Sequence, residues 1–405
     1  MITRIKLFIA LSLIGFYTHA QKLNREEAVQ AALKNNEKIK ATSLQIDQAR
    51  QAKRASADFG NFSAVIMKGQ YNTIEQDNNL TLTQGIPFPS TLAAQVKLGQ
   101  EHVTGAQVNL VASQNNLAFE VKTAYETLLY YTALQQLLLS QDSLFTDFAR
   151  AATARYKAGE TTLLEKVTAE SQQLEARNQL QKNEADIYMV QSRLQLLLNS
   201  TEPLVPTDAF LKRTLADGTI ANNPLVHVEL QQAKINRQVL RVERNRFLPT
   251  LELGYFNQTL IGYQNTNGSD IFYNKNSRFQ GFMVGASFPL WFAPQAARAK
   301  AAAIGFEASQ KNAQYAQSVI LQEYEQTQRE LLKNEVSLSF YETSALQNAT
   351  LIISQAAKSF RAGEINYVEY LQALRTALSI KTNYLAALQQ YNLTLTKLEH
   401  LTGSF

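Results

Sequence analysis

The 405-residue chain has no cysteine, one tryptophan, four histidines, four methionines, eight prolines and sixteen glycines. Each shortage excludes something. Without cysteine there is no disulfide framework, no thiolate metal site, no thiol nucleophile and no lipidated N-terminal cysteine. So few prolines and glycines favour long uninterrupted helices over many short elements. His19, His102, His227 and His400 stand apart from one another and outside any His-Glu-x-x-His pattern, so they read as surface or packed side chains rather than ligands or bases. Met1, Met67, Met189 and Met283 make no soft-metal relay. Glycine-rich phosphate loops and nucleophile elbows are missing too. An enzyme is therefore not expected, nor a metal site, nor a cofactor. Charged residues make up only 18% of the chain, and a net charge of +5 spread along its length is no argument for a nucleic-acid partner. The hydrophobic fraction, 45%, is ample for a folded core.

Residues 1–20 have the pattern of a secretory signal. Arg4 and Lys6 give the positive start, residues 7–16 the apolar core, and Thr18-His19-Ala20 a small-residue cleavage site before Gln21. The alternative is a membrane anchor helix, but that needs roughly 20 apolar residues to cross about 30 Å of hydrocarbon, and this run is shorter. No later stretch approaches a transmembrane helix. Export with loss of Arg4 and Lys6 lowers the formal charge from +5 to +3.

The chain contains one unit twice. Arg155-Tyr156-Lys157-Ala158-Gly159-Glu160, followed by Leu164, Glu165 and Val167, recurs 204 residues later as Ser359-Phe360-Arg361-Ala362-Gly363-Glu364, followed by Val368, Glu369 and Leu371. Gly85-Ile86-Pro87-Phe88 matches Ser287-Phe288-Pro289-Leu290 at an offset of 202, and the polar helix ending before Phe62 matches one ending before Pro249. The expected organisation is a first repeat at 21–199, with strands at about 62–71 and 78–87, a long helix 91–157 and a helix 163–198. A connector follows at 200–223. A second repeat spans 224–405, with strands at about 250–263 and 277–289, a long helix 295–361 and a helix 366–402. The first helix is expected over 25–58, entered at Asn24, with Glu26 and Glu27 favourably placed in its first turn. Residues 264–276 count as a longer loop in the second repeat.

Along 91–157, Val96, Val103, Leu110, Leu117, Ala124, Tyr131, Leu138 and Phe145 recur every seven residues, the spacing of a left-handed coiled-coil seam. Tyr324, Leu331, Leu338, Ala345 and Ile352 repeat the idea. At 1.5 Å per residue each long helix would measure about 100 Å, too long for a compact globular domain. In the strands, Leu80, Leu82 and Ile86 alternate with polar residues; Phe282, Val284, Ala286 and Phe288 form a second row, Leu251, Leu253 and Tyr255 a third, and Phe62, Ala64 and Ile66 a fourth. Strands of about ten residues suit a tilted crossing of a bilayer. The alternative is two hairpins packed on the helices. If they do span, four strands cannot close a barrel alone, and several chains must share one.

Taken together, the leader, the duplication, the paired strands, the long helices and the twice-placed turns resemble the TolC-like outer membrane efflux protein family, over 21–405. The most specific residues are Arg155-Tyr156-Lys157-Ala158-Gly159 with Leu164-Glu165-Lys166-Val167, and Phe360-Arg361-Ala362-Gly363 with Val368-Glu369-Tyr370-Leu371. The resemblance implies a mainly α fold with a membrane β-barrel contribution: a homotrimer with a shared 12-stranded barrel in outer membrane lipid and an α-helical tunnel in the periplasm. It implies a passive exit duct, powered by an inner-membrane pump, here of the resistance-nodulation-division type for cations or drugs, and reached through a periplasmic adaptor (membrane fusion) protein. Arg155, Tyr156, Gly159, Glu160, Leu164, Phe360, Arg361, Gly363, Glu364 and Val368 would form the adaptor-contacting tip turns. Glu165 and Glu369 would ring the aperture with carboxylates. The competing class is a periplasmic coiled-coil adaptor or scaffold.

The residues of the turns carry their own physics. Gly159 and Gly363 suit the left-handed position that ends a helix. Glu160 and Glu364 are expected near the start of the returning helices, with Glu165 and Glu369 about one turn inside, where the dipole favours them. On this ground alone Glu165 and Glu369 read rather as two exposed helix-start glutamates with no further role. The chain departs from the family in carrying Glu165 and Glu369 where Asp is commoner. It also departs at Phe360 and Ile365, which lack a hydroxyl and a charge that latch the second turn in some members, so closure is expected to rest on packing and coiling. The missing lipid-anchor cysteine leaves attachment to the barrel.

Overall fold

The structure, a computed structural model, describes residues 21–214 and 219–404. The leader expected at 1–20 and residues 215–218 of the connector lie outside the described residues. The chain opens with β1 (Gln21–Leu23) and α1 (Arg25–Asn35). Asn24 and Glu27 form a reciprocal capping box, each side chain accepting the other's backbone N–H at 2.8 Å. The helix expected over 25–58 is two helices. Asn36 ends α1 with ψ 126°, and its side-chain oxygen caps α2 (Glu37–Ala55) through the Lys38 N–H at 2.9 Å. Its amide also donates to the Leu197 carbonyl at 2.9 Å. An asparagine that satisfies two helix ends and a third segment makes a break more favourable than one more helical turn.

Strands β2 (Phe62–Gly69) and β3 (Asp77–Pro87) come next. Then α3 (Pro89–Lys157), started by proline at its first position, runs 69 residues, about 100 Å. The returning helix is α4 (Leu163–Leu198). The connector supplies β4 (Leu204–Pro206), parallel to β1, and one 3-10 turn at Ile220–Asn222. The second half has α5 (Pro224–Asn245), β5 (Thr250–Gln258), β6 (Gly262–Thr266), β7 (Ser269–Tyr273) and β8 (Phe279–Ser287). Much of the loop expected at 264–276 is thus the β6–β7 hairpin, turned at Asn267-Gly268 with φ of 52° and 83°. Two positive φ values in a two-residue turn match the right-handed twist of the strands.

The second long helix is also interrupted: α6 (Phe292–Phe340), a π-helical turn at Tyr341–Ala345, and α7 (Leu346–Arg361), before α8 (Tyr367–Thr402). Its buried row is Ala313, Ile320, Thr327 and Asn334, seven apart, resuming at Ala349 and Ala356. Tyr324 and Leu331 of the expected seam are only half-buried. Asn334 to Ala349 is fifteen residues, two heptads plus one. The π turn absorbs that extra residue, so the buried row keeps its direction beyond it.

The strands β2, β3, β5 and β8 form one antiparallel four-stranded sheet in that order, with β2 and β8 at its open edges. Cross-strand register sorts its faces. Ala64, Leu82, Tyr255 and Phe282 lie opposite one another, as do Phe62, Gln84, Leu253 and Val284, giving a mainly apolar face. The other face carries Ser63, Thr83, Gly254 and Met283, and Gly85, Glu252 and Gly285. Among the described residues no helix is long and apolar enough to cross a membrane.

Below the sheet, α3 packs between α2 and α5, and α5 against α6; α4 pairs with α3, and α8 with α6 and α7. Tyr125, Leu128, Leu194, Leu198 and Leu204 form one core with Ala28 and Val29. There the Tyr125 hydroxyl donates to the Leu23 carbonyl at 3.1 Å. Truncating one such leucine to alanine costs about 2–5 kcal/mol. A buried ionic staple sits beside this core. Arg213 donates to Glu126 and Asp208, both at 2.9 Å, tying the connector to α3. Burial pushes the Glu126 carboxyl up, against the pull of Arg213 and Arg25.

Candidate functional site

The two helical turns have the same backbone. Gly159 (φ 77°) donates to the Tyr156 carbonyl at 3.0 Å and Glu160 to that of Arg155 at 2.9 Å. Gly363 (φ 75°) and Glu364 repeat this with Phe360 at 3.2 Å and Ser359 at 2.9 Å. This paired bonding closes a helix C-terminus and needs a residue without Cβ strain at positive φ. It corrects one expectation: Glu160 and Glu364 complete the descending helices rather than begin the returning ones. Thr162 and Asn366 are the N-caps of α4 and α8.

Those caps define where Glu165 and Glu369 stand. Glu369 is the third helical residue and shares a capping box with Asn366, both bonds being 3.0 Å. The Glu165 N–H donates to Thr162 Oγ1 at 3.2 Å, while one carboxylate oxygen accepts from the Thr161 hydroxyl. Each carboxylate therefore lies one turn or less inside its helix with one oxygen locally engaged. The patterns Thr162-x-x-Glu165 and Asn366-x-x-Glu369 carried this signal in the sequence.

Around the first turn, Leu163, Leu164 and Val167 are exposed, Leu164 to 76%. Tyr156 is exposed on one side and lies under Lys166, whose Nζ is 5.7 Å from the ring centroid. Arg155 Nε is 3.9 Å from a Glu160 carboxylate oxygen. Val368 and Arg361 are exposed at the second turn. Phe360 is not free: its ring stacks on Tyr370 at 4.6 Å and 8°. Phe148 of α3 stacks on Tyr367 at 4.7 Å and 11° and also approaches Phe360 and Tyr370. Ile365 packs on the same cluster. Phe148 and Tyr367 are residues that sequence reasoning missed, and Tyr370 was read only as part of the turn motif; their spacing gives no sign that α3 and α8 meet there. The Tyr367 hydroxyl is buried without a partner, and burial together with the charge of Glu165 pushes its pKa up to about 12. Among the described residues no group of three or more histidine, aspartate or glutamate side chains could hold a metal ion.

Residues 215–404 match the family model described as outer membrane efflux protein. That match covers the second copy of a unit that the sequence carries twice. Over those residues the chain is similar to the outer membrane efflux protein family. Solved structures extend the likeness of fold over 94% of the chain. The CmeC outer membrane channel of Campylobacter jejuni, 16% identical, aligns over 94% of the chain and 86% of its own with a TM-score of 0.78. The outer membrane protein VceC of Vibrio cholerae is also 16% identical, aligning over 94% of the chain and 96% of its own with a TM-score of 0.76. The open MtrE outer membrane channel of Neisseria gonorrhoeae, 13% identical, aligns over 94% and 89% with a TM-score of 0.73. At such identities the likeness is one of fold. No curated protein matches the chain in sequence.

Proposed function

We propose that three copies of the chain form an outer membrane duct: a 12-stranded barrel, four strands from each copy, above a periplasmic helical tunnel ending at the paired turns. The observation that carries this is the sheet itself. It has one apolar and one polar face, and β2 and β8 present unpaired backbone edges. No such edge is tolerated against lipid, whereas edge-to-edge pairing among copies removes every one.

The duct is passive. An inner-membrane pump of the resistance-nodulation-division type, acting on cations or drugs, drives cargo into it through a periplasmic adaptor. Arg155, Tyr156, Gly159, Glu160, Leu164, Phe360, Arg361, Gly363, Glu364 and Val368 make up the docking turns. The exposed leucine and valine side chains suit an adaptor's helical hairpin, while Phe360 acts from within, by holding the second turn against α8. Glu165 and Glu369 supply an acidic aperture ring, each with one carboxylate oxygen not committed to its cap.

The absence of cysteine gives a clean background for the test. Ala64→Cys on β2 is combined in turn with Phe282→Cys, Val284→Cys and Ala286→Cys on β8, and outer membranes are oxidised. A disulfide ladder that ends at three copies is expected from one combination. No cross-link between copies, or a ladder running past three, would overturn the duct.

A further inference from the structure

Helix α5 carries Lys234, Arg237, Arg241 and Arg244 at spacings of three, four and three, which sets all four on one side of it. All four are exposed. Across from Arg241 and Arg244, Lys97 of α3 lines the same groove, about 390 Å³ in volume, with Ser90, Gln238 and Asn245. No carboxylate lines it. Among the described residues none of the five cations is in an ion pair, whereas neighbouring Arg246 is held by Glu243 at 3.0 Å. Glu101, one turn down α3, is engaged by the Gln231 amide at 2.8 Å. Clustered cations without a protein counter-charge raise the local potential and favour an anion from outside.

The groove sits where the helices meet the sheet. Asn245 donates to the Ser90 carbonyl at 2.8 Å and accepts from the Thr91 hydroxyl at 3.2 Å, closing its upper end. On α3, Lys97 points away from Gln95, Leu98, Gly99 and His102, which line a separate pocket with Gly85 and Thr250. Gly85 and Thr250 belong to the polar face of the sheet. The basic groove therefore opens on the side continuous with the apolar face. On leaving β8 at this level the chain runs Phe288-Pro289-Leu290-Trp291-Phe292, with Leu290 82% and Trp291 83% exposed. Trp291 is the single tryptophan of the chain, and Phe292 stacks on Phe247 at 6.3 Å. Apolar strands, then an exposed indole, then unpaired arginines follow the order of hydrocarbon, interface and headgroup phosphate.

We propose that Lys97, Arg241 and Arg244 bind the phosphate-bearing headgroup of an anionic phospholipid from the leaflet that faces the helices, with Trp291 seated at the interface beside it. The arginine forks supply paired donors to phosphate oxygens, and Lys97 adds a point charge. This rests on the sheet being inserted in the membrane.

The test is native mass spectrometry of the detergent-extracted protein with phosphatidylglycerol or phosphatidylethanolamine of the same acyl chains, and with inorganic phosphate as competitor. Phosphatidylglycerol should bind about tenfold more tightly, and Lys97→Gln with Arg241→Gln and Arg244→Gln should abolish that preference. A remote set, Arg150→Gln with Arg177→Gln and Lys182→Gln, should keep it. Arg244→Gln alone should lose part of it, which keeps the test valid if the triple variant fails to fold. A triple variant that retains the preference overturns the proposal, as does equal binding of the two lipids by the wild type. Displacement of the lipid by inorganic phosphate at equal concentration overturns it too, leaving a small-anion site. Absence of the preference in a wild-type chain recovered as an outer membrane trimer sinks the lipid site alone. A chain recovered outside the outer membrane sinks the duct as well.

Discussion

Lys122 Nζ lies 2.8 Å from one carboxylate oxygen of Glu399, and Arg25 holds the other at 3.0 Å, all three side chains nearly excluded from solvent. Residues far apart in sequence are thereby fastened beside the core on which α1 meets α3. Glu399→Ala would leave buried Lys122 without a counter-charge and Arg25 with only Glu26 and Glu126, a loss of about 3–5 kcal/mol. Removing an exposed pair by Lys40→Ala, which frees Glu37, should cost no more than about 1 kcal/mol. Helical circular dichroism during thermal unfolding compares the two; equal shifts would contradict the staple.

The π turn makes a prediction that no straight helix would. Deleting Thr343 returns Asn334 and Ala349 to a separation of two heptads and turns the bulge into α-helix. The buried row and the tip packing should survive, with unfolding temperature unchanged or raised. Deleting Thr132 from uninterrupted α3 rotates everything beyond it by about 100° and should abolish the ordered tip. Protease sensitivity of the turns reports both; equal damage from the two deletions would rule out the phase argument.

Tyr367 sets an alkaline limit at the tip. Its folded pKa of about 12 stands above the ordinary 10.0, so between those values the folded chain keeps a proton that the unfolded chain has lost. Stability is therefore full below pH 10 and falls as pH rises through that window. Tyr367→Phe should lessen the fall. Because the hydroxyl it removes has no partner, neutral-pH stability should stay level or rise by about 1 kcal/mol. Tyr125→Phe removes a hydroxyl that donates to Leu23 and should lower stability by about 1 kcal/mol. Unfolding curves at pH 7 and pH 11 distinguish the two; a larger neutral-pH loss for Tyr367→Phe would refute the assignment.

The proposed acidic ring is separable from the caps. Glu369→Gln keeps an oxygen for the Asn366 N–H while removing the charge, and Glu165→Gln does the same towards Thr161. The double variant should fold normally and lose cation preference in single-channel reversal potentials. The effect should be clearest at salt below about 0.1 M, where the Debye length exceeds 10 Å. Unchanged selectivity would leave the two glutamates as helix caps only.

The helical class was legible because scarce proline and glycine and a seven-residue spacing are properties of the chain itself. The tight turns were legible for the same reason, since Gly159 and Gly363 answer a local demand for positive φ. What escaped depends on contacts between distant segments. Asn36 breaks its helix partly for Leu197, a partner 161 residues away. Phe148 is one more aromatic on a long helix until α8 is beside it. One feature had a signal that was misread, since Asn267-Gly268 between alternating aromatics marks a hairpin rather than a loop; another went unread, the drift of the offset between halves from 202 at Pro87 to 204 at Gly159. Part of that drift lies in the π turn.

The most direct test of the duct is the mass of the detergent-solubilised particle taken from the outer membrane fraction. A shared barrel predicts a particle of three chains, stable on dilution. A single chain, or recovery in the soluble periplasm, would contradict it and leave an exported coiled-coil scaffold in its place.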